Sequence, residues 1–226
     1  MPTVVQEATN SSSGTATTVA TFANPLTAGN MVVAIVAAQY WAAGTHLISA
    51  PSGGGGGTWN LEAAADGLNS RSEAVEVWTS ANVAGGATQI TANHNAYSGH
   101  RIWVLEVSGM PTTGPVADGT PGAAGGRSNT ANPGTTTPTS GEDVLLISAN
   151  TWAATSISTP TSYTAMTGTS IGRCAYRVVT GPSGSYGGSW TGGSTNYEIW
   201  NAVVVALQGA GGGGPTFTPR GLWFTR

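Results

Sequence analysis

Short apolar and β-branched runs alternate with clusters of Gly, Pro, Asn and Ser from end to end of the chain, and no stretch holds a helical apolar period of about 3.6 residues for long. The pattern predicts strands near Thr3 to Ala8, Thr15 to Phe22, Met31 to Tyr40, Thr58 to Ala64, Glu73 to Thr79, Ala87 to Ala92, Arg101 to Val107, Asp143 to Ser148, Tyr163 to Met166, Arg173 to Thr180, Gly187 to Thr191 and Glu198 to Leu207. The expected class is all-β. In one strand Val75, Val77 and Thr79 share a face and Ala74, Glu76 and Trp78 share the other, because strand side chains alternate. Met31 to Ala38 and Val203 to Leu207 are apolar on both faces, as the central strands of a two-layer sandwich would be.

The second part of the chain echoes the first. Thr27 to Trp41 returns in outline as Thr139 to Trp152: a polar turn with Gly, a continuous apolar run, then Trp. Glu76 to Gly85 is echoed by Tyr176 to Gly184, and Arg101 to Met110 by Asn201 to Ala210, in the same order. Two similar sets of strands predict one sandwich made of two related halves rather than a repeat array, which needs at least three units. Three loops punctuate it. Gly53 to Gly57 is a pliable hairpin or crossover without the lysine and helix of a phosphate loop, Pro111 to Ser140 reads as a surface crossover, and Gly211 to Gly214 precedes a terminal peptide.

Composition narrows the function classes. Charged residues make up 8% of the 226, against about 25% in an ordinary soluble domain, so solubility rests on Thr, Ser, Asn and Gly. All seven basic residues are arginines, which rules out a Schiff-base lysine. With a formal net charge of -3 and arginines scattered singly, no basic stripe exists for nucleic acid. Cys174 is the single cysteine and falls in a strand interior. The first twenty residues lack the cationic and apolar regions of a signal peptide, and Met31 to Ala38 is too short to span a bilayer, so no export signal of its own and no membrane insertion are expected, while secretion as part of another machine would fit too.

No catalytic centre is legible. A glycosidase needs two carboxyls facing each other at about 5 to 10 Å, and Glu76 with Glu106, at equivalent points of their strands, is the one pair to nominate. Polar positions on solvent-facing strand faces explain the same two residues. His94 and His100 bracket a short loop and His46 stands apart, spacing that does not make a zinc site. Neither a metal nor an organic cofactor is expected.

Trp78, Trp103 and Trp200 fall inside strand patterns as core residues, whereas Trp41, Trp59, Trp152 and Trp190 lie at strand ends. Of these, Trp41, Trp59 and Trp190 are candidates for stacking on sugar rings, and plugs at the ends of a sandwich are the competing explanation. The terminal PTFTPRGLWFTR is the other candidate. It crowds Phe217, Arg220, Leu222, Trp223, Phe224 and Arg226 behind a flexible glycine linker. Burying its three aromatics would gain on the order of 11 to 19 kcal/mol, and ordering about a dozen residues costs a similar sum, so one tail is a marginal anchor and several together a good one.

The layout resembles a family of β-sandwich virion proteins of tailed bacteriophages and prophages. The marks are AGNMVVAIVAA, GTWN, VEVWTSANVAGGATQITA, RIWVLEVSGM, TSGEDVLLISAN and IWNAVVVALQGA, over about residues 3 to 210. The resemblance implies a structural or host-contacting particle component: a minor tail protein, a fibre module or a capsid decoration protein.

The expectation is therefore a single jelly-roll-like β-sandwich over residues 1–210, with halves of about 1–110 and 139–210 joined by a crossover at 111–138. Residues 211–226 form the linker and an anchoring tail. Its expected role is non-enzymatic, located on the virion, with other virion proteins and further copies of itself as partners. A glycan-binding module or adhesin contacting a host surface is the alternative.

Overall fold

A computed structural model describes residues 1–39, 48–66, 73–94, 99–151, 157–168, 171–192 and 198–211. Among these residues there is no helix, and the strands of the first half are β1 (Thr3–Ser13), β2 (Thr17–Thr21), β3 (Met31–Gln39), β4 (Ile48–Gly53), β5 (Trp59–Asp66), β6 (Ala74–Ser80), β7 (Gln89–His94) and β8 (Gly99–Ser108). The second half carries β9 (Gly122–Ser128), β10 (Thr130–Ala131), β11 (Thr135–Thr136), β12 (Val144–Asn150), β13 (Ile157–Ser158), β14 (Thr164–Ala165), β15 (Arg173–Val179), β16 (Tyr186–Gly187), β17 (Trp190–Gly192) and β18 (Glu198–Gln208). All pairings among them are antiparallel.

Each half builds its own wide sheet. One runs β1, β8, β3, β6, β5 and the other β14, β15, β12, β18, β9. Their inner faces share one core: Val33, Ile35, Val77, Trp103 and Leu105 from the first meet Leu145, Ile147, Val203, Val205 and Leu207 from the second. This is the arrangement of a β-sandwich.

The apolar run of β3 is explained by what lies on its other face. Val32, Ala34 and Val36 point away from the shared core into a second one, closed by Ala20, Phe22, Ile90 and Ala92 on and beside the small sheet β2, β7, β4. The second wide sheet is covered likewise, by Ala131 and Trp190 over Trp200 and Ala202, and by Tyr163 and Tyr186 over Val144, Leu146 and Ala206. A sheet covered on both sides loses the alternation of apolar and polar residues, so Met31 to Ala38 and Val203 to Leu207 are wholly buried. The expected two layers are supplemented by outer ones.

The stretch read as a crossover carries β9, the edge strand of the second wide sheet. Its sequence, Gly-Ala-Ala-Gly-Gly-Arg-Ser, has no strand propensity. Its glycines are there for close approach: a Cβ on Gly126 would lie 2.9 Å from Trp200 Cζ2, and one on Gly122 would lie 2.9 Å from Val204 Cγ1. The five-glycine run has a similar cause, since a Cβ on Gly53 (φ 94°) would press into the Gln89 carbonyl of β7. No helix among the described residues is long and apolar enough to cross a membrane.

Candidate functional site

Glu106 and Glu76 lie on the two strands that flank β3, on the face turned toward the second core. Glu106 stands opposite Val32, and Glu76 opposite Val36. Four residues along a strand and two strand spacings put their backbones about 17 Å apart, too far for a glycosidase pair. Both are buried, at 0% and 7% exposure, although Glu76 lies at the margin where β5 and β6 run out from under their cover. The reason is the small sheet that covers this face.

Glu106 is a fastener. Its Oε1 accepts from the Thr27 backbone N–H at 2.8 Å and Asn30 Nδ2 at 2.6 Å, and its Oε2 from Gln6 Nε2 at 2.6 Å. Burial pushes its pKa up, but these donors outweigh burial and hold the carboxyl below its usual range. Glu62 does the same between halves, accepting from the N–H groups of Val116 at 3.1 Å and Ala117 at 2.8 Å, and from Thr79 Oγ1 at 2.5 Å. Asp118 takes the backbone of Thr139 at 2.8 Å and the Ser140 hydroxyl at 2.6 Å, and those bonds overcome burial to lower its pKa. At the opposite end of the wide sheets Thr151 donates to Glu73 at 2.6 Å, and Trp103 Nε1 donates to the Thr167 carbonyl at 2.9 Å, tying the halves again. These carboxylates hold loops on strands.

Glu76 differs. Burial, the largest influence, raises its pKa to about 7 against the lowering bond from Trp78, with Asp66 adding repulsion. His94 and His100 do come together, with ring centroids 3.3 Å apart and planes 11° from parallel. Stacked face to face, their nitrogens lie at the ring edges and do not converge on one ion, and His94 Nε2 bonds Thr18 Oγ1 at 2.8 Å. No group of three or more metal-ligating side chains occurs among the described residues. Burial also pushes the Cys174 thiol well above its ordinary value, which leaves it inert.

The aromatic candidates separate. Trp190 is 1% exposed, with its Nε1 bonded to Ser148 Oγ at 2.9 Å, so it offers no face to a sugar and belongs to the core. Trp41 lies outside the described residues, as do Phe217, Arg220, Leu222, Trp223, Phe224 and Arg226. Trp59 is half-buried against the second core. Trp103 and Trp200 are core residues as expected, but Trp78 is half-buried and reaches the surface.

Trp78 stands opposite Leu61, 47% exposed, and Trp59 stands opposite Ser80 in the same register. A bulge between Leu61 and Ala63 turns Glu62 to the inner side and leaves Leu61, Ala64 and Asp66 exposed along β5. The opening follows from sheet width: the wide sheet has five strands, the sheet covering it has three, and β5 projects beyond it. The alternation that put Glu76 and Trp78 on one face was the signal for this patch. Its partner row, Trp59 and Leu61, was obscured by the bulge. Compared with known proteins, the chain matches no family model, no curated protein and no solved structure.

Proposed function

We propose that this protein is a non-enzymatic accessory component of a bacteriophage particle, a minor tail or capsid decoration protein, made of two related jelly-roll-like units and attached through residues 211–226. The observation that carries the reading is strand order. An eight-stranded jelly roll places strands 1, 8, 3, 6 in one sheet and 2, 7, 4, 5 in the other. The first half has β1, β8, β3, β6 in one sheet and β2, β7, β4 in the other, with only β5 changing sides. In the second half β9, β18, β12, β15, β14 follow the order of β1, β8, β3, β6, β5, and β10, β17, β13 follow β2, β7, β4.

This correspondence supports a duplicated unit and agrees with the echo in the sequence. Jelly rolls recur in viral capsid and lectin domains, and the resemblance to phage virion proteins favours the first. The structural use of Glu62, Glu106 and Asp118 supports a protein without catalysis. Other virion subunits and further copies of the chain are the partners this reading names, and its location is the assembled particle.

The test is incorporation. Full-length protein and a chain ending at Gly211 are expressed during particle production and compared by band intensity in purified particles. The full chain is expected in the particles and the truncated one in the supernatant. Equal incorporation overturns attachment through the tail.

A further inference from the structure

We infer that the open outer face of β5 and β6, formed by Trp59, Leu61 and Trp78 with Glu76 at its edge, is a binding site for a neutral saccharide. It is independent of how the protein attaches to a particle.

The site has an apolar floor and a polar edge. Trp78 and Leu61 are directly opposed across the strand pair, and Trp59 lies two positions from Leu61 on the same strand. Leu61 is 47% exposed, and both indoles are half-buried. Beside this row Glu76 is 7% exposed. Trp78 Nε1 donates to Glu76 Oε2 at 2.8 Å, which fixes the indole and the carboxyl relative to each other. The other oxygen, Oε1, takes no hydrogen bond from the described residues.

That carboxyl selects the occupant. An apolar protein surface laid over Trp59, Leu61 and Trp78 would bury Glu76 Oε1 without a donor, at a cost that cancels much of the gain. A pyranose ring has an apolar face for the indoles and a rim of hydroxyls, and one hydroxyl donating to Oε1 supplies the missing bond. A second carboxylate brought beside Glu76 would be repelled by it. Uronic and sialic acids are thereby disfavoured and neutral hexoses or N-acetylhexosamines fit.

The experiment is an array of neutral and acidic oligosaccharides probed with the full chain, followed by calorimetric titration of the best neutral hit. Two variants accompany it. Leu61→Ser alters an exposed side chain and Glu76→Gln keeps the shape of the acid, so both are expected to fold, with circular dichroism and melting as the check. Each should weaken binding about tenfold. Failure of every neutral member to bind at millimolar concentration overturns the site, as does a hit whose affinity neither variant changes. If Leu61→Ser instead converts a dimer to a monomer in sedimentation, the face docks a second copy and the saccharide assignment is wrong.

Discussion

Trp78 Nε1 donates a hydrogen bond to Glu76 Oε2 at 2.8 Å, two positions away on the same face of β6. The bond favours the ionised acid, yet burial wins and the carboxyl titrates near neutrality, raised from 4.5 to about 7.

The sign of the consequence follows from linkage. Because the folded-state pKa lies above the unfolded one, the folded chain holds the proton more tightly. The stabilisation is fully present below the unfolded pKa and is lost as pH rises through the folded one, about 7. A shift of this size is worth on the order of 3 kcal/mol. Glu76→Gln cannot ionise, so its stability relative to the parent should grow by up to roughly that amount between pH 5 and pH 8. Urea unfolding at both pH values measures it, and an identical pH dependence in the two proteins contradicts the burial of Glu76.

Glu106→Ala removes the acceptor of three donors at once, those of Thr27, Asn30 and Gln6. Leaving these partly buried donors without their acceptor should cost about 1 to 3 kcal/mol at neutral pH. The parent's own share of this stabilisation is lost as pH falls through the depressed folded-state value, opposite in sign to Glu76. A change below about 1 kcal/mol in urea unfolding would mean that the Thr27 to Asn30 turn is held by something else.

Glu62→Ala should loosen the passage from one half to the other. The amides of Val116 and Ala117 both donate to this carboxylate. Hydrogen exchange by NMR should show these two amides losing protection by ten- to a hundredfold while β3 and β12 keep theirs. Unchanged exchange at Val116 and Ala117 contradicts the fastening role.

Gly126→Val tests the glycine-bearing edge strand. A Cβ there would meet Trp200 Cζ2 at 2.9 Å, so the ring or the strand must shift, at a cost of about 1 to 3 kcal/mol. A thermal melt indistinguishable from the parent would show that Trp200 does not lie over β9.

What could be read from the sequence was what burial writes into it. Met31 to Ala38 and Val203 to Leu207 announced central strands, because a strand covered on both faces must be apolar throughout. β9 left no such mark, since its sequence answers to the bulk of Trp200 and Val204 on the neighbouring strand rather than to its own propensity. β4, with Pro51 and Gly53 inside it, was hidden by residues that read as turns. Trp190 and Trp78 exchanged roles for a related reason: a strand-end Trp was covered by Ser148 and its neighbours, and a strand-interior Trp opened to solvent because the sheet above it stops at β4. Layer width is a tertiary property, and a single strand does not carry it.

The measurement that bears most directly on the proposed role is quantitative mass spectrometry of particles purified from cultures that express this chain from its own genome. Peptides of the protein should appear at a fixed, near-integer ratio to a major coat or tail subunit and persist through a density gradient. Their absence from intact particles, with the protein recovered entirely in the free fraction, would contradict a virion component.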